Sequence, residues 1–271
     1  MGGVEADSTE QDCPTSGEMT TVQALFVRGR NCLLLRADFS PLFVDYYLHL
    51  MQHGLRHAPT EDGVLKDLLA WFTLHLVSRP WRENHAWTLN VHTPSAANYF
   101  VSGSSTDEAV VGHVYTEGVR ETEHNLLYAQ NVGRSRELQT SVVTLPEGGD
   151  VAAWMESYYR QSEQRPARAF LLPGSDTYVL VTAEPGADYD WLDELRAEDV
   201  ANIETTEQTK LLETRRFRFC CGCTVEKVLP IIRAMHKDFA DRLSEQGFLE
   251  ISCPRCGAVY RITPEMVNKQ A

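Results

Sequence analysis

Residues 219–260 read FCCGCTVEKVLPIIRAMHKDFADRLSEQGFLEISCPRCGAVY and hold five of the seven cysteines of the chain. Cys221 and Cys223 form a Cys-x-Cys pair, Cys253 and Cys256 a Cys-x-x-Cys pair, and 29 residues separate them. Two close-set thiol pairs, joined by a spacer able to fold back, describe a tetrahedral four-thiolate zinc site. Zinc suits four soft anionic sulfurs, so one Zn2+ per chain is the expected cofactor.

The second pair reads as a zinc knuckle. Phe248 to Ile251 reads as a strand, Pro254 fixes a turn, Gly257 permits a tight backbone, and Val259 to Ile262 reads as the returning strand. The first pair leaves two readings open. As an ordinary structural zinc ribbon, the site holds a small fold together. As a switch, its thiolates oxidise, the metal leaves, and the folding energy it supplied is lost. Cys220 adds a second ambiguity. It is either a spare thiol beside Cys221 or, through Cys220-Cys221-Gly222-Cys223, a ligand replacing Cys221. That same Cys-x-x-Cys admits a thiol oxidoreductase, although no thioredoxin-like βαβ unit precedes it.

The sequence FRFCCGCTVEKV followed by GFLEISCPRCGAVYRIT resembles the redox-regulated holdase chaperones of the heat-shock protein 33 family. A second match lies upstream, in YYRQSEQR (158–165), Pro166 and LLPGSDTYVLVTAEPGAD (171–188). The resemblance covers about the last 120 residues well and the first 140 loosely. It implies that Cys221, Cys223, Cys253 and Cys256 hold zinc in an idle reduced state. It further implies that hydrogen peroxide or hypochlorous acid forms the Cys221–Cys223 and Cys253–Cys256 disulfides and releases the metal. The partners implied are unfolded or partly unfolded clients, with a homodimer on oxidation. The activity implied is ATP-independent protection from aggregation, not enzymatic turnover, and no phosphate-binding Gly-x-x-x-x-Gly-Lys-(Ser/Thr) loop occurs. The alternative is a divergent relative with a constitutive structural zinc, acting as a protein-binding module.

Composition narrows the class. With 271 residues the chain suffices for a main domain and a small one. Its net charge of −13 argues against the phosphate backbone of nucleic acid as main partner. Arg215, Arg216 and Arg218 are the only basic cluster near the zinc motif, and they read as a local patch. No apolar run is long enough for a membrane span. The polar, acidic start reads as a disordered tail over 1–20, not a secretory signal. Cysteine usage points to a reducing, cytoplasmic compartment, with Cys13 in the tail and Cys32 a buried small hydrophobe.

The expected fold is α+β: a mixed β-sheet N-terminal domain with packed helices, a charged linker, and a small C-terminal four-cysteine zinc domain. By resemblance the N-terminal domain, 21–187, binds clients. Val22 to Arg36 reads as two strands broken at Gly29. Ser40, as cap, and Pro41 open a helix to about Arg56. His49, His53 and His57 recur along it at four-residue spacing, either a metal- or pH-sensing stripe or a polar flank. Val64 to Val77 is a second helix, ended by Pro80. Strands follow around Trp87–Val91, Tyr99–Val101, Val110–Tyr115 and Leu138–Leu145, with SGSST (102–106) as a loop. His92-Thr93-Pro94-Ser95 stands where the resembled family carries a glycine-rich turn. Asp150 caps a helix over Val151 to Gln164, and a hairpin spans Ala167–Leu172 and Tyr178–Ala183.

Glu184 to Arg215 carries ten acidic and three basic residues, with Trp191, Leu192, Leu195, Val200 and Ile203 as apolar anchors. It predicts a charged, partly helical segment that is stable only when docked, so 188–216 is expected to be an acidic metastable linker. The resemblance implies that this linker unfolds on oxidation, although it is short for the family. Residues 217–271 are the expected zinc-binding redox-switch domain. Within it, helices are expected over Thr224–Ala234 and Lys237–Ser244, burying Val225, Val228, Ile232, Phe239 and Leu243.

Overall fold

The structure is a computed structural model that describes residues 13–79, 83–93, 95–120, 122–132, 137–235, 243 and 245–268. It is α+β, as expected, and built on one ten-stranded sheet. The strands are β1 (Thr20–Val27), β2 (Cys32–Asp38), β3 (Asn84–Val91), β4 (Ala97–Ser104), β5 (Ala109–Tyr115), β6 (Leu126–Val132), β7 (Leu138–Thr144), β8 (Ala167–Leu171), β9 (Thr177–Ala183) and β10 (Thr209–Phe219). Their order is β7-β6-β3-β4-β5-β10-β1-β2-β9-β8.

β10 is the splice of this sheet. It runs antiparallel to β1 from Thr20↔Phe217 to Val27↔Thr209, with a register irregularity at Ala24/Leu25. On its other side it meets β5 in parallel, through Arg218↔Ala109 and Phe219↔Val110. The boundary expected at 216/217 therefore falls inside a central strand. The alternation of LLETRRFRF, weak in its first half, becomes strict from Arg215, and Phe217 and Phe219 are buried. The same alternation divides the expected basic patch. Arg216 and Arg218 are exposed, but Arg215 is buried and donates through Nη1 to the Leu76 carbonyl at 3.2 Å.

Helices α1 (Ser40–His53), α2 (Pro59–Ser78) and α3 (Val151–Tyr158) pack against one face. The N-cap position of α1 is Phe39, not Ser40, which is the first helical residue; the Asp38 carboxylate just before it accepts the Ser40 N–H at 2.9 Å. Gly54, at φ 63, ends α1 three residues before the expected limit. α2 begins at Pro59, earlier than expected, and is buried from Leu68 to Val77. It lies close over the sheet because Gly103 and Gly112 lack side chains. A Cβ at Gly103 would stand 2.8 Å from Leu76 Cδ1, and one at Gly112 3.1 Å from Leu65 Cδ1. Asp150 caps α3 as expected, and the helix continues as a π-helical turn over Tyr159–Glu163. Residues 102–104, expected as loop, extend β4, while β6 escaped the sequence reading because only Leu127 and Ala129 of it face the core.

Three short helices, α4 (Tyr189–Glu194), α5 (Ala197–Ala201) and α6 (Ile203–Thr206), cover the opposite face. They bury Leu192, Leu195, Val200 and Ile203 against Leu25, Val27, Leu34, Phe170, Val179 and Val181. Ion pairs from Arg30 to Asp188 (2.7 Å) and Glu207 (3.0 Å), and from Arg36 to Glu204 (2.9 Å), fasten their rim.

The expected tail also changes. From Cys13 the chain is anchored by a Cys13–Cys220 disulfide and by Asp45 of α1, and Thr20 already belongs to β1. Residues 1–12, Pro80, Pro94 and most of the expected Lys237–Ser244 helix lie outside the described residues.

Candidate metal centre

β10 ends at Phe219, and the next four residues carry the first thiol pair. Gly222, at φ 61, lets the backbone reverse between Cys221 and Cys223 so that both sulfurs face the same side. The second pair sits on a hairpin of β11 (Leu249–Ser252) and β12 (Val259–Ile262). Cys253 N–H donates to the Ala258 carbonyl at 2.8 Å and Gly257 N–H to the Cys253 carbonyl at 2.9 Å, which closes the expected knuckle turn. Helix α7 (Val225–Met235), containing Pro230, packs Val228 and Leu229 beside Leu243, Leu249, Ile251 and Ile262. A last helix, α8 (Pro264–Asn268), follows β12.

The four sulfurs of Cys221, Cys223, Cys253 and Cys256 lie within 4.8 Å of one another. Cys221 Sγ is 3.7 Å from Cys253 Sγ, and Cys223 Sγ is 3.5 Å from Cys256 Sγ. Four thiolates at about 2.3 Å from a tetrahedral zinc stand about 3.8 Å apart, so the donor set fits that ion in kind, number and spacing. Cys220 is not in the set, because its sulfur is bonded to Cys13. The Cys220–Cys223 reading thereby loses its first thiol. The odd cysteine count and the awkwardness of Cys220 were the available signals that it had a partner elsewhere. Cys32 is buried, as expected, and burial pushes its thiol up to about 11.

Protons are unevenly shared across the cluster. The Cys221 thiol, helped by Cys256 and the Tyr260 hydroxyl, pushes Cys223 down to about 7. Hydrogen bonding led by Cys221 also holds Cys253 below the ordinary thiol range, while Cys221 and Cys256 are pushed above it by their neighbours. Tyr260 donates to the Cys223 carbonyl at 2.8 Å, with its oxygen 3.0 Å from Cys223 Sγ.

The cluster is docked on the sheet domain rather than standing apart from it. Cys253, Cys256 and Ala258 are buried in the main core. The Tyr115 hydroxyl donates to the Pro254 carbonyl at 2.7 Å, and Arg255 Nε donates to Ser102 Oγ at 3.2 Å. His49 Nε2 lies 3.1 Å from the Cys256 carbonyl. A Cβ on Gly257, which has φ +74, would fall 2.3 Å from His113. Of the expected histidine stripe, the His49 and His53 rings on α1 lie 4.6 Å apart and tilted to each other, whereas His57, past Gly54, meets His113 at 5.2 Å. None of the three joins the group of possible metal ligands among the described residues. Burial holds each of them below the usual imidazole range and His113 at about 4. They are neutral packing groups around the knuckle. Sequence reading missed His113, Tyr115 and Tyr260, which reach the cluster only through the tertiary fold.

A large mixed-sheet domain joined through its central strand to a four-thiol centre defines the class: a metal-capable cysteine module docked on an α+β domain. The family model described as Hsp33 protein matches residues 185–263. A 33 kDa chaperonin of Methylobacillus flagellatus is 26% identical over 137 residues, which is 42% of this chain and 47% of that protein. One of Symbiobacterium thermophilum is 28% identical over 147 residues, 44% of this chain and 50% of that protein. The matched region thus spans about half the length of these curated relatives. The solved structure of the 33 kDa chaperonin (heat shock protein 33 homolog) of Thermotoga maritima superposes with a TM-score of 0.71 at 15% identity, covering 93% of this chain and 97% of that one, and shows the same fold. The sequence likeness to the Hsp33 family thus lies in residues 185–263 and the neighbouring stretch the curated relatives match, while the solved structure shares the fold over most of the chain. No helix among the described residues is long and apolar enough to cross a membrane.

Proposed function

We propose that the chain is a redox-regulated, ATP-independent holdase that shields unfolding proteins from aggregation in the cytoplasm. One observation carries this reading. β10 links the thiol cluster at its C-terminal end to the acidic helices at its N-terminal end, and those helices cover an apolar sheet face.

In the resting state Cys221, Cys223, Cys253 and Cys256 would hold one Zn2+. When bound, zinc supplies charge that keeps four thiolates deprotonated and folds the module around them. Oxidation would join Cys221 to Cys223 and Cys253 to Cys256. Each disulfide would take two electrons from its pair of thiolates, and these, with two protons from solvent, would reduce one hydrogen peroxide to two waters. Loss of the cluster would release the chain just beyond Phe219 and loosen the short β5 pairing at the C-terminal end of β10. Residues 188–208, held by four apolar side chains and rim ion pairs, then detach at low cost. The uncovered face, with Leu25, Val27, Leu34, Phe170, Val179 and Val181, would bind clients, and in an oxidised homodimer two such faces would act together.

A second reading is favoured by β10 itself. Residues 209–217, nearly all inside the expected linker, pair with β1, and Arg218 and Phe219 pair with β5, which limits any unfolding to α4–α6. On that reading the zinc is constitutive and the chain is a protein-binding module without a switch.

One titration separates the two. Reduced protein is treated with hydrogen peroxide at heat-shock temperature while zinc release, disulfide connectivity and aggregation of a thermally unfolding client are followed together. One zinc lost per chain as protection appears supports the switch. Zinc retained with protection unchanged supports the constitutive module.

A further inference from the structure

The Cys13–Cys220 disulfide joins residues 207 positions apart, with Cα atoms 5.5 Å from each other. It lies outside the four-thiol set, yet Cys220 immediately precedes Cys221. From Cys13 the chain runs as a short strap to β1. Ser16 N–H donates to Asp45 Oδ1 at 2.6 Å, and Thr15 Oγ1 donates to Asp45 Oδ2 at 3.5 Å. Asp45 is fully buried on α1, so these strap groups satisfy its carboxylate.

Two clefts flank the strap. One, of about 1000 Å³, has Cys13, Thr15, Cys220 and Cys221 in its wall. The other, of about 300 Å³, has Cys13, Pro14, Cys221 and Cys223 in its wall. Cys13 therefore stands between two solvent approaches to Cys221, the second of which also reaches Cys223. The cluster is asymmetric in the matching sense: Cys221 and Cys223 are partly exposed toward these clefts, while Cys253 and Cys256 are buried.

We propose that Cys13–Cys220 is a second redox site of this chain, a disulfide cleaved by dithiol reductants, whose strap limits access to Cys221 and Cys223. The consequence for chaperone control rests on the reading given under Proposed function; the gating of access does not. A reductant thiolate attacks one sulfur of the disulfide, the S–S bond breaks, and the departing sulfur takes a proton. The second reductant thiol then resolves the mixed disulfide. Two electrons pass to the protein, Cys13 and Cys220 leave as thiols, and the reductant leaves as its own disulfide. Once the disulfide is open, the hydrogen bonds among the described residues that tie residues 13–16 to the rest of the fold are those to Asp45, and a segment held so locally opens by local unfolding. The two clefts then join across the exposed side of the cluster. The closed strap protects Cys221 and Cys223 from oxidants, and its reduction primes them.

The test uses the full chain purified without reductant, with one portion thiol-blocked for mapping only. Peptide mapping without reductant first establishes the Cys13–Cys220 link. Site-resolved alkylation by iodoacetamide is then timed in the wild type, in the wild type after brief dithiol treatment, and in Cys13→Ser. The expected result is severalfold faster labelling of Cys221 and Cys223 in both opened forms, with Cys253 and Cys256 nearly unchanged. Equal rates, equal acceleration at all four thiols, or absence of the linked peptide overturns the proposal. The dithiol-treated wild type gives the comparison without a substitution, should Cys13→Ser fold poorly. Metal content is measured in parallel. A chain without zinc, or without client protection, would sink the chaperone reading and leave the labelling comparison intact.

Discussion

His49 Nε2 and the carbonyl oxygen of Cys256 lie 3.1 Å apart, joining the first helix of the sheet domain to the knuckle 207 residues later. A carbonyl only accepts, so the imidazole is the donor, and its burial holds it neutral. His49→Ala leaves that carbonyl unsatisfied at a buried site, which costs about 1–3 kcal/mol. The expected result is faster amide exchange over β11 and β12 with the sheet domain little changed. Gly257→Ala should do more harm than His49→Ala, because it forces a positive φ on alanine and drives a methyl into His113.

Much of this site was legible in the sequence and some was not. Thiol spacing and the turn residues Pro254 and Gly257 announced the cluster and its knuckle, because metal chelation and tight turns are local demands. The strands β1, β2, β8 and β9 followed from period-two patterning between turn residues. β10 did not. Its first half, Thr209–Thr214, is mostly exposed and follows an acidic stretch, so it reads as linker, and only its pairing with β1 makes it a strand. Arg215 was read as a surface charge because a sequence cannot show that Leu76, 139 residues earlier, offers it a carbonyl. The Cys13–Cys220 bond is equally non-local.

Arg215→Met tests the splice. Arg215 Nε pairs with Glu213 at 3.3 Å, and Nη1 reaches the end of α2. Methionine fills similar space but leaves the Leu76 carbonyl without that donor. The expected loss is about 1–3 kcal/mol, read as a lower Tm with unchanged metal content.

Cys253→Ser removes a buried member of the cluster. If the cluster holds the zinc proposed for it, elemental analysis should show that metal lost in the variant, since three thiolates and a hydroxyl hold the ion far less well. Amide protection should fall across 221–262 and persist in β1, β2 and β9.

Acid should weaken the fold through its buried histidines. His75 is fully buried, and burial holds its pKa well below the usual value. The unfolded chain therefore binds a proton that the folded chain refuses. Stability falls as pH drops below the unfolded imidazole value of about 6.5, and the loss ends only once pH is beneath the folded value. Tm should decline from pH 7 to pH 5, and His75→Gln, while lowering Tm at pH 7, should flatten that decline. An equal slope in the variant would place the acid sensitivity in other groups.

The acidic helices offer the sharpest division between the two proposed functions. Leu192 is fully buried against the sheet face that these helices cover. Leu192→Ala removes one of four apolar anchors, and truncations of this kind cost about 2–5 kcal/mol. A short helix segment cannot absorb that from its own propensity. The expected outcome is local detachment of α4–α6, seen as a red shift of Trp191 fluorescence and new binding of an apolar dye, with zinc content unchanged. If oxidation works by uncovering this face, the reduced, zinc-loaded variant should already protect a thermally unfolding client. Detachment without protection would show that the face is not the client surface. The cluster would then stand as a structural centre in a protein-binding module.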